Sequence, residues 1–120
     1  MTNIRYQMEA MIVLDDIVDK KHPYRAYDRL VDFHALAKPM HARHSDLGRR
    51  EIGAERGLRM LILQFVEDRS DREMERFIRE NVAARRFCGF AVNESTPDHS
   101  YFGAFRKRLG TEGLTTSSTS

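Results

Sequence analysis

The chain has 120 residues, 41% of them apolar and 32% charged, with a formal net charge of +2. That is one domain's worth at roughly 100 to 200 residues per domain, and with a mean hydropathy of −0.57 it has the composition of a folded, charge-dense protein. These values exclude a two-domain enzyme; MTNIRYQMEA is not a signal peptide, and no apolar run reaches the roughly 18 residues of a bilayer-spanning helix, so the expected address is cytoplasmic with no membrane partner.

Residues 1–18 form a mixed entry segment, in which Met11-Ile12-Val13-Leu14 suits either a strand or a strip of chain laid over a core, and periodicity does not decide between them. Pro23 fits a first helical turn. Tyr27, Leu30, Val31 and His34 then follow at i, i+3, i+4, i+7, predicting one helix that ends near Ala37, because Pro39 disfavours helical geometry in Lys38. A polar connection from Met40 to Gly53 leads to Leu58, Leu61, Ile62 and Phe65, again at helical spacing. Met60, Leu63 and Val66 widen that stripe to most of the circumference, which predicts a central helix surrounded by the others.

Ser70 with Glu73 three residues on is a capping-box signature and starts the next helix, about Asp71 to Glu80. Met74, Phe77 and Ile78 mark its buried face, while Glu75/Arg79 and Arg76/Glu80 are expected to neutralise one another as i, i+4 pairs. Asn81 makes a tight joint to a short helix, Val82 to Cys88, stopped by Gly89. Thr96 is read as a cap and Pro97 as a first-turn residue of the last helix, about Asp98 to Leu109, which buries Tyr101, Phe102, Phe105 and Leu109. Residues 111–120, ending Thr-Thr-Ser-Ser-Thr-Ser, read as a disordered tail. The expectation is an all-α bundle of about five helices over residues 1–110, followed by that tail.

The two short helices around Asn81 have the spacing of a helix-turn-helix, which would set Arg85 and Arg86 near DNA; the plainer reading is solvated arginines on a structural helix. Arg106-Lys107-Arg108, with His99 and Ser100 on the same helix, form a second basic cluster. Residues 82–109 hold five basic and two acidic side chains, a local excess of +3 against +2 for the whole chain. Such a patch suits phosphate contact, although cations at a helix end also answer the macrodipole. Arg49 and Arg50 in the polar connection are a third, weaker candidate. His41, His44 and Asp46 match no helical zinc-binding spacing, lone Cys88 offers no cysteine pair, and neither a nucleophile elbow nor a phosphate-cradling glycine loop is present. No catalysis, metal or cofactor is expected.

Taken together, Leu30-Val31-Asp32, the run Gly57 to Gln64, Ser70-Asp71-Arg72-Glu73-Met74-Glu75-Arg76, Asn81, Phe87 with Gly89-Phe90, and Thr96-Pro97-Asp98-His99-Ser100 ending in Phe105-Arg106 resemble the N-terminal helical domain of insertion-sequence transposases of the DDE type. The resemblance covers roughly Leu14 to Leu114. It implies double-stranded DNA at the ends of the element as partner, with a second copy or a full-length transposase as a further partner, and a prokaryotic chain that is nucleoid-associated when DNA-bound. In that family a ribonuclease H-like catalytic domain follows, whereas this chain turns to Thr and Ser after Leu114; no catalytic carboxylate carries over, and a truncated transposase is the expectation. The competing class is a protein-interaction or dimerisation module without DNA binding of its own, using Leu14, Ile17, Tyr24 and Tyr27 or the Phe90 loop.

Overall fold

The computed structural model describes residues 3–43 and 52–110. Among them lie seven helices and no strand: α1 (Asn3–Ile17), α2 (Pro23–Leu30), α3 (Phe33–Arg43), α4 (Gly53–Glu67), α5 (Asp71–Glu80), α6 (Val82–Cys88) and α7 (His99–Arg108). The expected all-α architecture is observed, with two more helices than about five. Arg49, Arg50, His44, Asp46 and the tail 111–120 lie outside the described residues.

The entry segment is helix: Ala10, Leu14 and Val18 recur every fourth residue, all three are buried, and this stripe packs α1 onto α6. Pro23 takes the first turn of α2, whose N-cap is His22, with Nδ1 accepting the Tyr24 N–H at 3.1 Å. The single helix expected from Pro23 to Ala37 is broken at Val31, which is extended at φ −126°, ψ 128°. Asp32 then starts α3 by accepting the Ala35 N–H at 3.1 Å. Proline does not end α3, which continues past Pro39 to Arg43; the local break is set by a capping carboxylate after a β-branched residue.

The centre of the bundle also differs from the expectation. α4 buries Ala54, Gly57, Met60 and Leu63 but leaves Ile62, Phe65 and Val66 exposed, so it is not surrounded. The enclosed element is the short α6, which packs against α1, α2, α4 and α5 and buries Ala84, Phe87 and Cys88. Phe87 meets the rings of Tyr24, Tyr27 and Phe33 at centroid distances of 5.8, 5.9 and 5.6 Å. Burial pushes the Cys88 thiol far above its ordinary pKa, which leaves it a small apolar core residue.

The capping box of α5 forms as expected: the Glu73 N–H donates to Ser70 Oγ at 3.2 Å and the Ser70 N–H to Glu73 Oε1 at 2.9 Å. Gly89 stops α6 in the left-handed region at φ 89°. The last helix begins later than expected, at His99. Its N-cap is Asp98, whose carboxylate accepts the Ser100 N–H at 3.0 Å, in place of Thr96. α7 packs on α5 and crosses α4 at Gly57.

Candidate nucleic-acid interface

Most of the described arginines are used inside the chain. Asp15 of α1 accepts from Arg25 Nη1 and Arg86 Nε, each at 3.0 Å. Asp28 of α2 pairs with Arg86 at 3.4 Å and also with Arg59 of α4, which lies 3.3 Å from Glu55. This chain of alternating charge ties α1, α2, α4 and α6 together, and the guanidiniums of Arg25 and Arg86 hold the Asp15 carboxyl down at about 2. Arg56 makes a separate link, pairing with Glu94 at 2.8 Å while lying over the Phe90 ring.

The helix-turn-helix placement of Arg85 and Arg86 is therefore corrected. Arg85 is 7% exposed. Its guanidinium donates to the carbonyls of Arg79 at the end of α5 and of Ala91, Val92 and Glu94 in the loop after α6, the Ala91 bond being 2.7 Å. Burial lowers its pKa. Arg86 faces α1 and α2 and is held by Asp15 and Asp28. A recognition helix must present one face to a groove, and α6 has four helices packed around it.

The α7 candidates sit together on a different side. Arg106 forks onto Asp71 of α5 at 2.9 and 3.0 Å and also donates to Gln64 Oε1 at 3.1 Å. This pairing pushes the Asp71 carboxyl down and the Arg106 pKa up. His99 donates its backbone N–H to Glu75 Oε1 at 2.9 Å, with its Nδ1 3.0 Å from the same oxygen, and lowers the Glu75 pKa. Ser100 bonds to the capping Asp98. Lys107 is exposed and makes no hydrogen bond or ion pair among the described residues, whereas Arg108 is half-buried and engaged within the fold. Structure thus gathers His99, Ser100, Arg106 and Lys107 along the α5–α7 seam and separates them from Arg85 and Arg86.

Two cations missed in the sequence complete this face. Arg72 and Arg76 are exposed and have no partner among the described residues. Of the two expected i, i+4 pairs on α5, Glu75–Arg79 forms at 3.4 Å, but Arg76 is not bridged to Glu80. The sequence did carry that signal, since an acid N-terminal to its base is the favoured orientation and Arg76/Glu80 is the reverse. Arg72, Arg76 and Arg79 stand at i, i+4, i+7 in one stripe over about 10 Å of helix. That stripe borders the α7 seam, because Asp71 and Glu75 beside it turn to Arg106 and His99. Across the seam, Ser100, Ala104 and Lys107 are exposed at the same spacing on α7. The outer side of α5 opens onto a groove of about 650 Å³ in which Arg69, Arg72 and Arg76 stand with Glu73 and Glu80 around Phe77, so the arginine stripe lines this groove as well as bordering the seam.

A family model described as "Transposase domain (DUF772)" matches residues 12–108, which spans α2 to α7 and the C-terminal end of α1. The chain belongs to this transposase-domain family. No curated protein and no solved structure matches it. Within this transposase domain, no group of three or more His, Cys, Asp or Glu side chains among the described residues is placed to hold a metal ion. No described helix is long and apolar enough to cross a membrane.

Proposed function

We propose that the domain is a non-catalytic DNA-contacting module of an insertion-sequence transposase of the DDE type, acting on duplex DNA at the ends of the element, and that it meets DNA with the α5–α7 face. One observation carries this reading: Arg72, Arg76 and Lys107 stand exposed on two packed helices and unbridged to any described carboxylate, while Arg25, Arg56, Arg59, Arg86 and Arg106 are each bound to one. A cation already saturated by a carboxylate releases few counterions when a phosphate arrives; an unpaired one gives the full effect. Fluorescence anisotropy with a labelled duplex tests it. Arg72→Ala/Arg76→Ala/Lys107→Ala is expected to lose most affinity at 50 mM salt with its circular dichroism unchanged. Arg29→Ala/Lys38→Ala, which removes two exposed cations of α2 and α3, is expected to bind as the unaltered chain does. Equal affinity of the triple variant and the unaltered chain refutes the assignment.

A second reading is favoured by the outer side of α4, where Phe65 is 83% exposed between Ile62 and Val66. An apolar ridge of this kind suits docking against another chain, a second copy or a longer transposase. It predicts a sedimenting mass above the 14.0 kDa of one chain that persists at high salt and is abolished by Phe65→Ser.

A further inference from the structure

Resting on the DNA reading above, we propose that α5 reads base edges in the duplex, with Arg72 and Arg76 as the specificity-determining residues and guanine as the base they select. Direction is the first argument. Met74 and Ile78 of α5 are fully buried, and Arg72 and Arg76 stand two residues before and two after Met74, a rotation of about 200° round the helix in either sense. Both side chains therefore leave α5 on the side turned away from the core, where both are exposed and have no partner among the described residues. The groove of about 650 Å³ on this side is lined by residues between Arg69 and Asn81, which are α5 itself and its two flanks, so no other described helix contributes to it.

Chemistry gives the second argument. A phosphate oxygen is repelled by a carboxylate, whereas the major-groove edge of a G·C pair takes both kinds of partner: guanine N7 and O6 accept, and the cytosine N4 amino group donates to an Asp or Glu. The α5 groove offers that mixture. Arg72 and Arg76 carry free forks of donors, the geometry that bonds N7 and O6 together. Glu80, exposed and without a partner among the described residues, supplies an acceptor beside them. Glu73 is already engaged, because its Oε1 accepts the Ser70 N–H at 2.9 Å. Arg69 is held against the Phe77 ring, with Cζ 4.0 Å from the centroid and Nε buried without a hydrogen-bond partner, and forms a wall of the groove. Four residues of helix between the two free forks give about 6 Å of axial rise, close to two base-pair steps of about 3.4 Å.

The test uses the full chain and a pool of duplexes about 30 base pairs long with a randomised centre, selected for binding and sequenced after each round. The expected result is a motif with two guanines about two base pairs apart. Arg72→Ala and Arg76→Ala, both at exposed positions, are then selected separately, with circular dichroism to show that the fold is kept. Each is expected to lose the preference at one guanine and keep it at the other, the loss being roughly 5- to 150-fold in affinity for the selected duplex over its mismatch. Lys107→Ala, which removes a lone ammonium of α7, is expected to weaken selected and unselected duplexes by the same factor. A pool that binds at 50 mM salt yet stays random after selection overturns base reading and leaves the DNA reading standing. A motif that both arginine variants still select in full, or arginine variants that weaken all sequences equally, overturns the assignment to Arg72 and Arg76. No binding of the pool at 50 mM salt overturns the DNA reading, and this inference with it.

Discussion

Replacing Arg85 by methionine separates a structural from a phosphate-contacting arginine. Methionine keeps much of the stem and removes the charged fork, which bridges the Arg79 carbonyl at the end of α5 to three carbonyls of the segment 91–94. Hydrogen bonds from a charged donor contribute about 1.5–3 kcal/mol each. They do not sum, because burying the guanidinium offsets part of the gain and the carbonyls of Val92 and Glu94 regain water when released. The Ala91 carbonyl belongs to a fully buried residue, and stranding it costs about 1–3 kcal/mol more. The expected loss is about 3–5 kcal/mol, a large share of the roughly 5–15 kcal/mol that holds a domain together. With a urea dependence of about 1–3 kcal/mol per molar, the unfolding midpoint followed by circular dichroism should drop by about 2 M. Lysine at 85 should recover only part of this, since one ammonium cannot span α5 and the following loop together. An unchanged midpoint accompanied by lost DNA affinity would contradict a structural role for Arg85, because it would mean that the guanidinium is available to solvent and to phosphate.

Two further substitutions test how the interface is supported. In Gly57→Ala the added Cβ would lie 2.6 Å from Phe105 Cζ and 2.7 Å from the Tyr101 hydroxyl, in a ring pair already stacked at 5.7 Å; overpacking of about 1–3 kcal/mol outweighs a helix-propensity gain of about 1 kcal/mol, so the thermal midpoint should fall, and a rise would show that α4 and α7 part freely. Asp15 titrates at about 2 in the fold against an ordinary 3.8. Its folded value being the lower, its stabilisation is complete above about pH 4 and is lost as pH falls toward 2. The difference in thermal midpoint between the unaltered chain and Asp15→Asn should therefore shrink over that interval, and a difference constant from pH 5 to 2 would contradict the Arg25–Asp15–Arg86 linkage.

The abundance of arginine acquires a structural meaning from these contacts. Arg59 lies over the rings of Phe33 and Phe87 at 4.5 and 5.2 Å while it pairs with Glu55 and Asp28. A planar guanidinium can stack on an aromatic face and bind a carboxylate at its edge at once, which an ammonium cannot. Aromatic rings and carboxylates contributed by α1 to α4 thus meet around α6, and the net charge of the whole chain stays near zero although the chain is rich in ions.

By itself the sequence determined what depends on neighbours along the chain. Apolar spacing marked α4, α5 and α7; the Ser70–Glu73 box and Gly89 set a start and a stop; and the motifs from Leu30 to Arg106 pointed to the transposase family that the match over residues 12–108 establishes. These signals are legible because caps, stops and helical faces act within about one turn or repeat every three to four residues. Only tertiary structure decided which cations are spent. Asp15 and Arg86 are 71 positions apart, and Asp71 and Arg106 are 35 apart, so no local pattern announces that they meet. The same holds for Phe65, apolar in pattern yet exposed, and for α6, short and arginine-bearing yet enclosed. Which face of a helix meets solvent is settled by the helices that pack around it, and that geometry is fixed by the folded chain as a whole.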